Sequence, residues 1–121
     1  MRDIKLILER WGGWAASDSS GLDYSRIAAG FKGLLPQTSK SRLTCTDDDA
    51  LIIEECLARL QKRKPYEYSL LVAHYLYGIS KRKIAKAYKK DERLIRIEIQ
   101  MAEGFIEGCL SVLNIRLDME H

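Results

Sequence analysis

The stretch from Tyr66 to Gly108 constrains this chain more than any other. Leu70, Leu71, His74 and Tyr77 recur at helical spacing, and Gly78 follows where a helix must stop. Ser80 precedes Lys81-Arg-Lys-Ile84-Ala85-Lys-Ala-Tyr88, a short second helix whose inward face is Ile84, Ala85 and Tyr88. Its hydroxyl is suited to accept a bond from a free N–H of that helix. Asp91 stands in the same relation to a third, long helix with Ile95, Ile99 and Ala102 facing inward at i, i+4, i+7. Pro65 suits the first turn of the first helix, where a missing N–H costs nothing. Helix, glycine turn, short helix, tight polar turn, long helix is the order of a helix-turn-helix unit.

Such a unit reads DNA by laying its last helix in the major groove. Arg93, Arg96 and Gln100 lie on one outer face of that helix, at spacings of three and four. They are long and polar, as base-edge readout requires. Lys81, Arg82, Lys83, Lys86, Lys89 and Lys90 are assigned to phosphates. Between Arg59 and Arg96 twelve cations face three carboxylates. The chain's formal net charge is only +3, so this middle carries +9 and the rest −6. A basic middle inside an acidic frame marks a directed nucleic-acid face. The competing reading is a solvated lysine surface. The spacing of this stretch resembles the helix-turn-helix of bacterial sigma factor region four, with Tyr75-Leu-Tyr-Gly78-Ile-Ser80 before the Ile84-Ala85 helix. Lys89 departs from it, because many such motifs carry glycine there. Either the turn is wider or Lys89 holds a strained backbone.

The rest of the chain reads as helices that pack on this unit, giving an all-α, compact single domain over 1–121 with the reader at about 66–108. At 121 residues a modest core is within reach. Ile4, Ile7, Leu8, Trp11 and Trp14 predict a first helix from Asp3 to about Ser17. Gly12 and Gly13 cost it about 1 kcal/mol each and imply a kink or a close helix approach. The two tryptophans are read as core rather than as base-stacking platforms. Tyr24 to Phe31 is a candidate short helix. Residues 32–46 form a long loop carrying Lys32, Lys40 and Arg42, and loops of this length are usually functional or mobile. These three are candidate contacts to a protein or RNA partner, and a plain solvated connector is the alternative. A helix then opens at Thr46 or Asp47 and carries Leu51, Ile52, Cys56 and Leu60 inward, with Leu57 beside them. The last helix is expected to reach Leu117, with Met101, Phe105 and Leu110 or Cys109 on its apolar face. Gly104 and Gly108 would leave a groove for the first helix and its tryptophans, and 118–121 would fray.

Other chemistry finds little support. Asp47, Asp48 and Asp49 are consecutive and diverge around a helix, which argues for dipole-stabilising acids rather than a Mg²⁺ nuclease site. Cys45, Cys56 and Cys109 have no paired spacing, and neither histidine is near a cysteine in sequence. No catalytic residue, metal or cofactor is expected. No run is apolar enough to span a membrane and no signal peptide is present, so no membrane partner is expected.

Across nearly its whole length the chain resembles the Q antitermination proteins of lambdoid phages. The likeness rests on Met1-Arg-Asp-Ile4, Leu8-Glu-Arg-Trp11-Gly, Trp14-Ala15-Ala16, Ile27-Ala-Ala-Gly-Phe-Lys-Gly-Leu-Leu-Pro36 and Ser39-Lys-Ser-Arg-Leu43. Pro65-Tyr-Glu-Tyr68, Tyr77-Gly-Ile-Ser-Lys-Arg82, Leu94-Ile-Arg96 and Ala102-Glu-Gly-Phe-Ile106 complete it. The match is to the small branch without a cysteine-rich zinc insertion. The resemblance implies a non-enzymatic transcription factor in the cytoplasm of a bacterial host. It would bind double-stranded DNA beside a late promoter and load onto host RNA polymerase paused with sigma factor. Terminator read-through would follow from action at the RNA exit channel, with nascent RNA as a further partner. The runner-up is a helix-turn-helix repressor or activator that stays at its promoter.

Overall fold

A computed structural model describes residues 2–19, 25–31, 33 and 42–120. Lys32, Lys40 and most of the long connector lie outside them. The elements are α1 (Ile4–Trp14) continuing into a π-helical turn (Ala15–Ser19), α2 (Ser25–Gly30), α3 (Asp47–Arg63), α4 (Pro65–Tyr75), α5 (Lys81–Tyr88) and α6 (Glu92–Val112), followed by a 3-10 turn (Asp118–Glu120). Among the described residues no helix is long and apolar enough to cross a membrane.

α4 is the axis of the molecule. Tyr68, Leu70, Leu71, Val72, Ala73 and Tyr75 are all buried, so it is apolar nearly all round, as a fully enclosed helix must be. It packs against α1, α2, α3, α5 and α6. The stripe expected to include His74 and Tyr77 is therefore wider than one face, and those two residues are only half-buried. Two apolar clusters form around α4. One joins Leu8, Trp11, Ile53, Leu57, Leu60, Leu71, Ile106 and Leu110, drawn from α1, α3, α4 and α6. The other joins Leu70, Ala73, Ile79, Ile84, Ala85, Ile95 and Ile99, together with Phe31.

The helix starts follow their sequence signals. Asp3, Thr46, Ser80 and Asp91 each accept a backbone N–H of the helix they precede. Pro65 occupies the first turn of α4. The glycine pair in α1 serves close approach. A Cβ at Gly12 would run into the Tyr75 carbonyl at the end of α4, and one at Gly13 into the Leu43 carbonyl. Trp11 and Trp14 are core residues, and the Trp14 indole N–H donates to Asp47 at 2.7 Å.

Several expectations change. Cys56, Leu57 and Leu60 line the inward face of α3 as expected, but toward its start Ala50 and Ile53 are buried in place of Leu51 and Ile52, and Leu51 is exposed. Asp49, in the same first turn, is buried and accepts the backbone N–H groups of Asp118 and Met119 at 2.8 and 2.9 Å. That contact also overturns the frayed tail for Asp118–Glu120, while His121 lies outside the described residues. Leu113 and Asn114 close α6 in a turn with Asn114 at φ 53°, and Leu117 is fully buried. Arg2 then pairs with Glu120 at 3.3 Å. On α6, Met101 is exposed while Ile106 and Leu110 complete the core face. Gly104 and Gly108 face open space and admit no helix.

Candidate nucleic-acid interface

The candidate interface comprises α5, the turn at 89–91 and the first half of α6. Ile84 and Ala85 sink into the second cluster and fix the roll of α5, so Arg82, Lys83 and Lys86 stand exposed on its far side. Tyr88, expected inward, is about one-third exposed and rests edge-on against Phe31 and Tyr66. Lys81 is half-buried at the start of the helix and raises the positive potential around His74. The His74 ring is kept below the ordinary histidine pKa, chiefly by burial, and its Nδ1 lies 2.9 Å from the Ile79 carbonyl. That bond fastens the turn between α4 and α5.

The first turn of α5 holds Lys81, Arg82 and Lys83 with no acid among them. Three cations at the positive end of a helix dipole oppose the ordinary preference of that position. The same end offers unpaired N–H groups, so an anion such as a phosphate relieves both.

α5 ends at Lys89, whose backbone is left-handed at φ 54°, ψ 46°. The Lys90 N–H closes back on the Ala85 carbonyl at 2.9 Å, a helix-ending turn usually built on glycine. Of the two possibilities for Lys89, the structure has the strained backbone. Lys90 is exposed, but its ammonium is tied to neighbouring side chains. Its ammonium donates to the Tyr66 hydroxyl at 2.7 Å, which donates to Glu98 at 2.8 Å. The ammonium also lies 3.7 Å from Glu98, and the tyrosine bond raises its pKa.

On α6, burial of Ile95, Ile99, Ala102 and Ile106 leaves Arg93, Arg96 and Gln100 exposed on the outer side. The structure thus brings all nine expected DNA-binding residues onto the three segments of the helix-turn-helix. Arg96 has a neighbour that sequence reading passed over. Its Nε and Nη2 both donate to one oxygen of Glu92, at 2.9 and 2.6 Å. The guanidinium is held by one edge while its other edge stays open. Spacing i, i+4 was the available signal. Leu94 and Ile97 were also passed over, and Met101 was expected to face inward. They form an exposed apolar strip beside the polar one, visible in the sequence as apolar residues out of phase with the core.

Arg42, expected to touch a partner, has a place inside the fold. Its Nη1 donates to the Leu76 carbonyl at 3.0 Å and its Nη2 to the Tyr75 carbonyl, capping the end of α4 across Gly12. The residue is exposed overall, yet desolvation of the guanidinium lowers its pKa, with Glu9 opposing that shift. No local pattern announces such a contact, because its acceptors lie more than thirty residues away. The acids at the start of α3 are likewise spent on structure, with Asp47 on Trp14 and Asp49 on the C-terminal turn. Among the described residues no three His, Cys, Asp or Glu side chains gather as a metal site. Burial pushes the Cys45 and Cys56 thiols up to about 11, away from thiolate chemistry.

Comparison with known proteins points one way. A family model described as phage antitermination protein Q matches residues 1–118. The chain is 53% identical over 120 residues to a probable antitermination protein Q of Acyrthosiphon pisum secondary endosymbiont phage 1, covering 98% of this chain and 81% of that one. It is 47% identical to a prophage antitermination protein Q homolog, QuuD, of Escherichia coli K12, covering 99% and 94%. With antitermination protein Q of Escherichia phage 933W the identity is 43%, covering 99% and 83%. Among solved structures, the fold is similar to transcription antitermination factor Q21 in complex with Q21-binding-element DNA, at a TM-score of 0.70 and 21% identity, covering 90% of this chain and 87% of that one.

Proposed function

The chain belongs to the phage antitermination protein Q family of transcription antitermination factors, and we propose that it binds a duplex DNA site beside a late promoter through α5 and α6. From there it loads onto host RNA polymerase paused with sigma factor and permits read-through of terminators by acting at the RNA exit channel, close to nascent RNA. It acts without catalysis, metal or cofactor, in the cytoplasm of the host. The observation that carries the DNA step is the first turn of α5, where Lys81, Arg82 and Lys83 crowd a helix end that favours an anion. The DNA-bound state of Q21, which shares this fold, supports the same reading.

Residue roles follow from position. Arg82, Lys83 and Lys86, on the outer side of α5, contact phosphates, with Lys81 at the helix start and Lys89 in the turn beside them. Lys90 serves the same surface once its hold on Tyr66 and Glu98 is loosened. α6 enters the major groove, where Arg93, Arg96 and Gln100 read base edges. Glu92 steers Arg96 so that its free edge meets a guanine. Lys32 and Lys40 are assigned to polymerase or RNA. Arg42 joins them only through its stem, its guanidinium being engaged at the end of α4.

The test is a transcription reaction across an intrinsic terminator, with and without the cognate late-promoter DNA upstream. Read-through that needs both the protein and that DNA is expected. Binding to the DNA with no change in termination would make the protein a regulator confined to its promoter.

A further inference from the structure

The buried side of α6 is defined by Ile95, Ile99, Ala102 and Ile106. Ile97 stands two residues after the first and two before the second, so it is rotated by about 200° from each. It is the residue most directly opposed to the core, and it is 53% exposed. Leu94 at 44% and Met101 at 54% flank it at spacings of three and four. Ile97 is also four residues from Arg93 and three from Gln100, which makes it their surface neighbour. An isoleucine thus stands opposite the buried face of the helix, amid Arg93, Arg96 and Gln100.

We propose that Ile97, with Met101 beside it, reads the 5-methyl group of a thymine in the major groove. This rests on the assignment of α6 as the groove helix. Thymine is the one base that shows a methyl group there. A β-branched side chain on a helix has one strongly preferred χ1 rotamer, so Ile97 presents a pre-ordered apolar surface. Met101 is flexible enough to fill the gap that remains. DNA is the occupant favoured by charge. The strip is bordered by Arg93 and Arg96, it continues into the cations of the turn and α5, and Glu92 is already paired with Arg96.

The experiment begins with selection of a binding duplex from a random 20-base-pair library, using the full chain. Each thymine in the selected duplex is then replaced by deoxyuridine, which removes the methyl group alone. At one or two positions the wild-type protein should lose about fourfold in affinity, the equivalent of ~0.8 kcal/mol for one buried methyl at ~1.4 kcal/mol per tenfold. Ile97→Ala should lose a similar factor on the thymine duplex and no longer distinguish it from the uridine one. Its melting temperature should be that of wild type, since the side chain is exposed. Wild-type affinity indifferent to every uridine, or a thymine preference that survives in Ile97→Ala, would overturn the proposal. So would loss of read-through at unchanged DNA affinity, because the strip would then face a protein. If no duplex is enriched, the DNA-binding reading itself fails and takes this site with it.

Discussion

Replacing Lys89 by glycine should make the fold more stable and the DNA grip weaker, and the two effects can be read separately. Lys89 holds φ 54° in the turn that joins α5 to α6. A side chain in that left-handed region costs about 1–2 kcal/mol. Glycine carries no such penalty but surrenders more freedom on folding, about 0.5–1 kcal/mol relative to alanine. The net gain is therefore ~0.5–1 kcal/mol. For a chain of this size that is a rise of about 2–5 °C in melting temperature, measured by calorimetry or circular dichroism. The substitution also deletes one cation. If that cation meets a phosphate, the slope of log affinity against log salt should shallow by about 0.9. Lys89→Ala is the control that separates the causes, since it deletes the charge and keeps the strained backbone. It should match the glycine variant in salt slope and gain no stability. Equal melting temperatures for the two variants would refute the argument from strain. An unchanged slope in both would remove Lys89 from the DNA surface without touching that argument.

Glu92→Gln should weaken the hold on Arg96 and remove a negative charge from the outer face of α6. Binding to random duplexes should tighten while preference for the selected site falls, as competition titrations would show. Arg42→Ala removes two charge-assisted bonds from the end of α4 and should cost about 1–3 kcal/mol in urea unfolding. Its affinity for DNA, measured well below the transition, should stay within about twofold of wild type. His74 has a folded pKa below its unfolded value near 6.5, so the unfolded chain takes up the proton first. Stability attached to the neutral ring is present above pH 6.5 and lost as pH falls through it. Urea titrations at pH 7.5 and 5.5 should show that loss in wild type and a smaller one in His74→Gln.

What the sequence made legible was local. Ser80, Asp91, Gly78 and Pro65 act through groups within a few residues, and each sits where its chemistry placed it. The cationic side chains of α5 and α6 were legible for the same reason, because a helical face is determined by spacing alone. What could not be read was set by distant partners. Asp49 is buried at the start of α3 because it serves backbone groups of residues 118 and 119. Arg42 is drawn inward by carbonyls at the end of α4. Gly12 and Gly13 announced a close approach without saying to what, whereas Gly104 and Gly108 looked equivalent and border open space. A small residue permits contact but does not specify it.

The two apolar clusters bear on how DNA binding and the rest of the molecule communicate. α4 and α6 belong to both. The half of α6 that carries Arg93 to Gln100 is seated by Ile95 and Ile99, and the half beyond it by Ile106 and Leu110 against α1 and α3. Nothing resembling a linker separates reader from body along this helix, so a displacement of one half must strain the packing of the other. The buried Tyr75–Glu103 hydrogen bond ties α4 to α6 at the first cluster. Leaving that carboxylate unpaired would be costly, which disfavours sliding of the two helices past one another. The first half of α6 is thereby fixed to the rest of the described fold, so Arg93, Arg96 and Gln100 keep a set orientation relative to α1 and α3.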